Sequence, residues 1–196
     1  MPEDLYRRFR KLKATERVGV DYRIHIARRN SPVVIIAPHG GTIEPGTSEI
    51  AAAIAGDDFS LYCFEGFLKR RPHYHLHITS TRFDEPQCVT LVEDSDTVVA
   101  VHGLRGAAAA RIDVGGNDFG LRDRVSVALK AAGFDARVVS KGEHAAVSPQ
   151  NICNRGRRAA GMQLEITKRL RELLTHYRAR SRLNAFADAV RTAVTD

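Results

Sequence analysis

The stretch VVIIAPHGGTIEPGTSEIAAAIAG, residues 33–56, reads as a complete strand–loop–helix unit. Its β-branched, apolar start VVIIAP (33–38) is typical of a strand buried on both faces of a sheet. Gly40 and Gly41 predict a tight loop after the strand, because glycine permits positive φ and a close approach of the backbone. The unit therefore favours an α/β fold.

The helix of this unit begins near Thr47 or Ser48, either of which suits an N-cap, and it ends at Gly56. A second amphipathic helix is predicted over 119–132, and one or two helices after residue 168. Strand patterns occupy the remaining segments: VDYRIHIAR (20–28), FSLYCFEG (59–66), HYHLHITST (73–81), DTVVAVHG (96–103), AARIDVGG (109–116), DARVVS (135–140) and GMQLEIT (161–167). This alternation predicts a largely parallel or mixed sheet covered on both faces, in one α/β domain over residues 1–196.

The chain carries a formal net charge of +7 and has a sequence pI near 9.7. An excess of basic over acidic side chains favours a polyanionic partner, either an acidic polymer or a nucleic acid. Most of the arginine-rich runs are interpreted as solvated helix faces. We find no DNA-binding motif, so a nucleic-acid partner is not favoured.

The 3 cysteines, Cys63, Cys88 and Cys153, have no CxxC spacing, which argues against a disulfide framework and a thiolate zinc site. No apolar run is long enough to span a bilayer, and the basic N-terminus has no signal-peptide core. We therefore expect a cytoplasmic protein without a membrane partner, monomeric, whose release by lysis would leave no trace in the sequence.

Two strands end in His-Gly, at His39 and His102, and Glu44 follows the first of them closely. In open α/β sheets, ligands bind at the carboxyl ends of the strands, where both imidazoles would lie. Two imidazoles and one carboxylate with an open fourth position form the ligand set of a catalytic zinc ion. Such a site also needs a general base, and Glu165, a carboxylate within an apolar strand, is the candidate. Each of these residues alone would more often be structural, and only their coincidence indicates a metal site.

HYHLH offers a rival site. His73, His75 and His77 would project from one face of a strand, and three imidazoles can bind a metal on their own. We interpret His73 and His75 as edge or surface residues and expect His77 to line the active site. His144, in a loop, is a further candidate to support the metal site or contact substrate.

Seven segments together carry a family resemblance: APHGGTIEPGTSEIAAAIAG, LYCFEG, LHITSTRFDEP, VAVHG, VGG, PQNICNRG and GMQLEIT. In this order they resemble the phage poly-γ-glutamate hydrolase family, whose members include proteins labelled phage-related replication proteins. The resemblance covers about residues 18–170, most of the chain and the core of the expected domain, and the C-terminal helices are expected at 169–195.

The resemblance implies a three-layer α/β sandwich with a mixed, mostly parallel sheet, similar to the zinc carboxypeptidases. It also implies one zinc ion on His39, Glu44 and His102, with Glu165 as the base, in an enzyme that hydrolyses γ-glutamyl amide bonds. Every residue of poly-γ-glutamate carries a free α-carboxylate, which Arg or Lys side chains would bind. The candidate substrate-binding residues are Arg82, Arg155, Asn151, Asn154 and His77, with Thr79 and Ser80 as further contacts.

Two other functions compete with this one. A zinc amidase for a small substrate, similar to the N-formylglutamate amidohydrolases, would use the same metal site with a narrow closed pocket. A non-catalytic, basic nucleic-acid-binding protein would show salt-dependent DNA affinity and no metal. The sequence leaves open the stereochemistry of the substrate, endo or exo cleavage, and cobalt or manganese in place of zinc.

Overall fold

The computed structural model of the protein describes residues 4–67, 73–106 and 108–196, with side chains from residue 75 onward in the second range. Its strands are β1 (Tyr22–Ala27), β2 (Val33–Gly41), β3 (Ser60–Gly66), β4 (Thr97–Leu104), β5 (Arg111–Gly116), β6 (Asp135–Val138) and β7 (Met162–Thr167). Its helices are α1 (Phe9–Thr15), α2 (Thr47–Ala55), α3 (Pro86–Glu93), α4 (Phe119–Ala131), α5 (Lys168–Thr175) and α6 (Arg180–Thr195). Short 3-10 turns cover His73–Leu76, Glu143–Ala145 and Ile152–Arg155.

The strands form one 7-stranded sheet in the order β1-β3-β2-β4-β7-β5-β6. β2 pairs in parallel with β3 and β4, β4 with β7, and β5 with β6. Among the described strands, the pairs β1–β3 and β5–β7 are antiparallel. The predicted mixed, mostly parallel sheet is confirmed.

Period-two alternation within the strands builds two hydrophobic cores, one on each face of the sheet. On the first face, Val99 and Val101 of β4 pack in a cluster with apolar residues of α2, α4, α5 and α6. On the second face, Val98 and Ala100 pack with apolar residues of α1 and α3. The fold is thus a three-layer α/β sandwich, as expected.

The predicted strand over 73–81 is wrong. Residues 73–76 form a 3-10 turn, and the segment after it satisfies its backbone outside the sheet. Thr79 N–H donates to the Asp4 carboxylate, and Ile152 N–H donates to Ser80 O. A polar–apolar alternation without a neighbouring strand to pair with cannot hold extended backbone in a sheet. The side chain of His73 lies outside the described residues.

The N-cap of α2 also differs from the prediction. Gly46, with φ 94°, occupies the cap position, and the Thr47 hydroxyl donates to Glu44 O (2.9 Å). The hydroxyl therefore closes the preceding loop instead of capping the helix. The predicted helix end at Gly56 is confirmed.

An irregularity in β2 separates its buried part from its polar end. Ala37 pairs with Cys63 and Gly40 with Glu65, so β2 carries one residue more than β3 over this interval. Such a bulge re-aims the side chains within it, here Pro38 and His39. Gly41 then takes φ 63°, and a Cβ there would lie 2.5 Å from the Gly66 carbonyl oxygen. Glycine is required at this position.

Cys63, Cys88 and Cys153 are buried, and none of them is in a disulfide among the described residues. No helix among the described residues is long and apolar enough to cross a membrane.

Candidate metal centre

The alternation of β4 and β7 brings their polar residues to one face of the sheet. The apolar residues Val101, Leu164 and Ile166 point to the first core, so His102 and Glu165 point to the opposite face. These two residues are direct partners in the parallel ladder. Because they lie at the carboxyl ends of their strands, they sit at the edge where ligands bind in open α/β sheets.

The β2 bulge and the loop after it supply the other two members of the centre, His39 and Glu44. The loop closes on itself, since Glu44 N–H donates to His39 O (2.9 Å). This turn returns the Glu44 side chain to the His39 ring. The predicted proximity of the two residues is present in the fold.

The donor atoms of His39, Glu44 and His102 converge. His39 Nδ1 lies 3.2 Å from His102 Nδ1 and 3.3 Å from Glu44 Oε1. His102 Nδ1 lies 3.9 Å from Glu44 Oε2. A tetrahedral ion with metal–nitrogen bonds of about 2.0–2.1 Å separates its ligand atoms by roughly 3.3 Å. All three side chains are buried, so their meeting is not a surface coincidence.

Each of the three side chains also has an outer hydrogen-bond partner. The His39 Nε2–H donates to Ile78 O (2.9 Å), Gly103 N–H donates to Glu44 Oε2 (2.7 Å), and His102 Nε2 lies 3.4 Å from Ser80 Oγ. Such contacts fix which ring nitrogen is free for a metal and hold the carboxylate in place. The donor set and its supports fit a divalent cation of the zinc class.

The charges within the centre favour cation binding. Burial acts to raise the pKa of Glu44, but the imidazole of His39 lowers it to about 2. Burial also opposes a charge on His39, yet the Glu44 carboxylate raises the pKa of His39 above its ordinary value. Burial and the charge of His39 lower the pKa of His102 to about 3. A proton therefore competes with a metal ion for His39 Nδ1.

His77 competes with His102 as the third ligand, since donor atoms of His39, Glu44 and His77 lie within 4.8 Å of one another. The His77 ring is tilted by 33° against the His39 ring, with centroids 4.0 Å apart, and its Nδ1 is already engaged by the Asp4 carboxylate (2.7 Å). His102 Nδ1, by contrast, lies 3.2 Å from His39 Nδ1. His102 therefore remains the candidate for the third ligand position.

Glu165 lies next to this centre, and the side-chain amides of Gln163 and Asn151 hold it through two successive hydrogen bonds. Gln163 Nε2–H donates to Glu165 Oε1 (3.1 Å), and Asn151 Nδ2–H donates to Gln163 Oε1 (3.2 Å). Burial, followed by the carboxylates of Glu44 and Asp113, raises the pKa of Glu165 to about 8. A nearby cation would lower that pKa again. A carboxylate that titrates near neutral pH is suited to accept and return a proton.

Arg171 supports the loop from behind, which the sequence did not indicate. Its guanidinium is buried and donates to Pro45 O (2.7 Å) and Ile166 O (3.1 Å). Burial lowers the pKa of Arg171, against the opposing effect of Glu44 and Glu165. Gly103 makes room for it, since a Cβ there would meet the guanidinium at 2.7 Å. The loop that carries Glu44 is thus tied to α5.

The centre opens into a cleft of about 600 Å³. Its walls come from the N-terminal segment, the loop after the first 3-10 turn, the end of β4, the loop 142–151 and β7. The polar lining includes Asp4, His39, Glu44, His77, Thr79, Ser80, Arg82, His102, Arg105, Glu143, His144, Asn151, Gln163 and Glu165. The guanidinium groups of Arg82 and Arg105 have no hydrogen-bond or ion-pair partner among the described residues.

Two predicted substrate-binding residues do not line the cleft. Arg155 donates to Phe83 O (3.3 Å) and to Glu93 (3.0 Å), so its guanidinium ties a turn to α3. Asn154 is buried, and both ends of its amide are engaged by backbone groups, with Gly161 N–H donating to its Oδ1 (3.1 Å). The side chain of Asn151 is also used internally, toward Gln163 and Cys153 N–H.

Comparisons with known proteins agree with one another. The sequence profile of the family described as Poly-gamma-glutamate hydrolase matches residues 6–194. The UPF0714 protein YndL of Bacillus subtilis (strain 168) is 38% identical over 173 residues, which is 88% of this chain and 67% of the relative.

Two solved structures share the fold along nearly the whole chain. The structure of a bacteriophage poly-gamma-glutamate hydrolase superimposes with a TM-score of 0.91 at 30% identity, covering 98% of this chain and 97% of that one. A zinc-free apo form of YndL superimposes with a TM-score of 0.90 at 34% identity, covering 99% and 98%. The chain therefore belongs to the poly-gamma-glutamate hydrolase family and is a hydrolase.

Proposed function

We propose that the protein is a zinc-dependent hydrolase that cleaves the γ-glutamyl amide bonds of poly-γ-glutamate. The observation that carries this proposal is the convergence of His39, Glu44 and His102 beside Glu165 at one strand edge. Family membership supports the substrate. The description of a relative in a zinc-free form supports the choice of metal.

The protein groups have distinct roles in the proposed reaction. A zinc ion held by His39, Glu44 and His102 would polarise the scissile carbonyl and lower the pKa of water. Glu165 accepts the proton of the attacking water and returns it to the leaving nitrogen. Gln163 holds the Glu165 carboxylate in register with His102 through the hydrogen bond to Oε1.

Arg82 is proposed to bind a substrate carboxylate. Arg82 is half-buried in the cleft wall, and its guanidinium has no partner among the described residues, whereas a partly buried guanidinium is commonly paired. A guanidinium binds a carboxylate through two parallel hydrogen bonds. Arg105, exposed at the end of β4, adds a second positive charge to the cleft. Together they favour an anionic substrate over a neutral one.

The activity test is incubation of the zinc-loaded protein with poly-γ-glutamate, followed by sizing of the products. We expect shortening of the polymer that a chelator abolishes and added zinc restores. α-Linked polyglutamate, which carries the same charge, is the matched control and is expected to stay intact. A polymer that keeps its length under all conditions, or shortening that is indifferent to the chelator, would contradict the proposal.

Arg82→Met is expected to raise KM for poly-γ-glutamate roughly tenfold with little change in kcat, because a charge-assisted hydrogen bond contributes about 1.5–3 kcal/mol. Arg157→Met is the matched control, since Arg157 is exposed outside the cleft and pairs with Asp96. Steady-state kinetics on both variants check this. An unchanged KM in Arg82→Met would remove Arg82 from substrate binding.

A further inference from the structure

Asp4 in the N-terminal segment reaches the wall of the cleft and is held there at both carboxylate oxygens. Its Oδ1 lies 2.7 Å from His77 Nδ1, and its Oδ2 accepts the Thr79 N–H at 2.7 Å. The side chain of Asp4 is 5% exposed. A carboxylate fixed at both oxygens has one orientation, and it presents a defined acceptor to the His77 ring.

The hydrogen bond from Asp4 decides which nitrogen of His77 carries the proton. Burial acts to raise the pKa of Asp4, but His77 and Thr79 lower it well below its usual range, so the carboxylate can only accept. A neutral ring that donates from Nδ1 has an unprotonated Nε2. His77 lines the cleft, and this second nitrogen has no hydrogen-bond partner among the described residues.

The ring of His77 contacts the ring of His39 at the edge of the metal centre. The His77 ring is tilted by 33° against that of His39 at a centroid distance of 4.0 Å, and one of its nitrogens is within 4.8 Å of donor atoms of His39 and Glu44. Because His77 also lines the cleft, its ring lies beside the centre, where the reacting groups of a substrate would be. Glu165 is on β7, and His77 reaches the cleft from the loop after the first 3-10 turn.

We propose that Asp4 is a positioning residue that holds His77 in the Nδ1-protonated tautomer, so that Nε2 accepts a hydrogen bond in the cleft. The donor is an O–H or N–H of the group bound there, such as the amide N–H of the substrate. The N-terminal segment is then part of the active site. The kinetic part of this proposal rests on the proposed function, whereas the tautomer is independent of it.

Asp4→Asn is the sharpest variant, because it keeps the size of the side chain and changes its donor pattern. If the Asn oxygen accepts the Thr79 N–H, its NH2 group faces His77 Nδ1 and can only donate to it. The ring must then carry its proton on Nε2, which reverses the polarity offered to the cleft. An analogous carboxylate-to-amide change at a catalytic dyad acts through the wrong tautomer.

The test measures the tautomer and the kinetics on the full, zinc-loaded chain. Long-range ¹H–¹⁵N spectra of the imidazoles, with the His77 signals assigned from His77→Gln, are expected to show unprotonated Nε2 in the wild type and unprotonated Nδ1 in Asp4→Asn. We expect kcat of Asp4→Asn to fall about 10- to 100-fold, as for other outer partners of active-site histidines. Asp84→Asn is the matched control, because Asp84 also binds the N-terminal segment, at Phe9 N–H (2.6 Å), but lies outside the cleft.

Three outcomes would overturn the proposal. One is a wild-type His77 with its proton on Nε2, a result that needs no variant and holds even if Asp4→Asn fails to fold. The second is an unchanged tautomer in Asp4→Asn. The third is a reversed tautomer with unchanged kcat. A wild-type protein inactive on poly-γ-glutamate would instead refute the proposed function, while the spectra would still decide the role of Asp4.

Discussion

Glu165→Gln is expected to lose roughly 100- to 10,000-fold of kcat on poly-γ-glutamate while it retains its metal, because that is the usual contribution of a general base or acid. Glutamine keeps the shape of the side chain and can still bond to Gln163, but it cannot accept a proton at neutral pH. The neighbouring ligands His39, Glu44 and His102 are left intact, so metal content is expected to equal that of the wild type. Steady-state kinetics measure the loss of kcat, and elemental analysis of the same preparation measures the metal content.

Glu143→Gln is the matched control for this substitution. Glu143 also lines the cleft, but it is exposed and is not on the sheet. Its replacement is expected to leave kcat within a small factor of the wild type. A folded, metal-loaded Glu165→Gln with near-wild-type activity would show that another group takes the proton.

His102→Ala is expected to lose its metal on dialysis, with an affinity loss larger than the about 10- to 100-fold that removal of an outer partner costs. The reason is the loss of one of three converging donor atoms, Nδ1 at 3.2 Å from His39 Nδ1. His39→Ala is expected to behave alike. Elemental analysis and competition with a chromogenic chelator measure the occupancy and the affinity.

His77→Ala provides the discriminating comparison, because His77 is the rival for the third ligand position. We expect it to keep the metal, since the Nδ1 of His77 is already engaged by the Asp4 carboxylate (2.7 Å). His144→Ala, a histidine of the cleft wall near Asp113, serves as the neutral control. Full occupancy in His102→Ala together with loss in His77→Ala would exchange the roles of the two residues.

The parts of the fold that follow from local pattern were predictable from the sequence. The apolar run before His39 and the one before His102 both form buried strands, and Gly56 and Gly133 both follow helix ends. The ends of these strands then placed His39 and His102 together, because parallel strands share their carboxyl edge. The convergence of His39 and His102 followed from topology, whereas the loop after β2 brings Glu44 to them.

The sequence-based predictions were wrong where a tertiary contact overrides the local sequence pattern. HYHLH alternates like a strand, but Asp4 holds the chain after it in a loop. Arg155 and Asn154 look available in the sequence, yet backbone carbonyls and N–H groups in distant segments use their side chains. No spacing rule reports such partners. Asp4 was missed for the same reason.

Helix α3 was missed although the sequence carried a signal for it. Pro86 stands at the start of α3, and the Glu85 side chain accepts from Cys88 N–H as its cap, a recognised start pattern.

The structural role of Arg171 was not indicated by the sequence. Most of the arginine-rich runs were interpreted as solvated helix faces, and Arg171 lies in one of these runs. Its burial depends on Gly103, far away in the sequence, and no periodicity reveals that.

The position of β7 in the sheet has a consequence for how the protein becomes active during folding. β7 is the last strand of the chain, yet it lies between β4 and β5. His39, Glu44 and His102 all precede it, so Glu165 joins them only when this final strand inserts into the middle of the sheet. Such late, non-local pairing is slow because loop closure must come first. Hydrolytic activity should therefore be among the last properties to return in a refolding experiment.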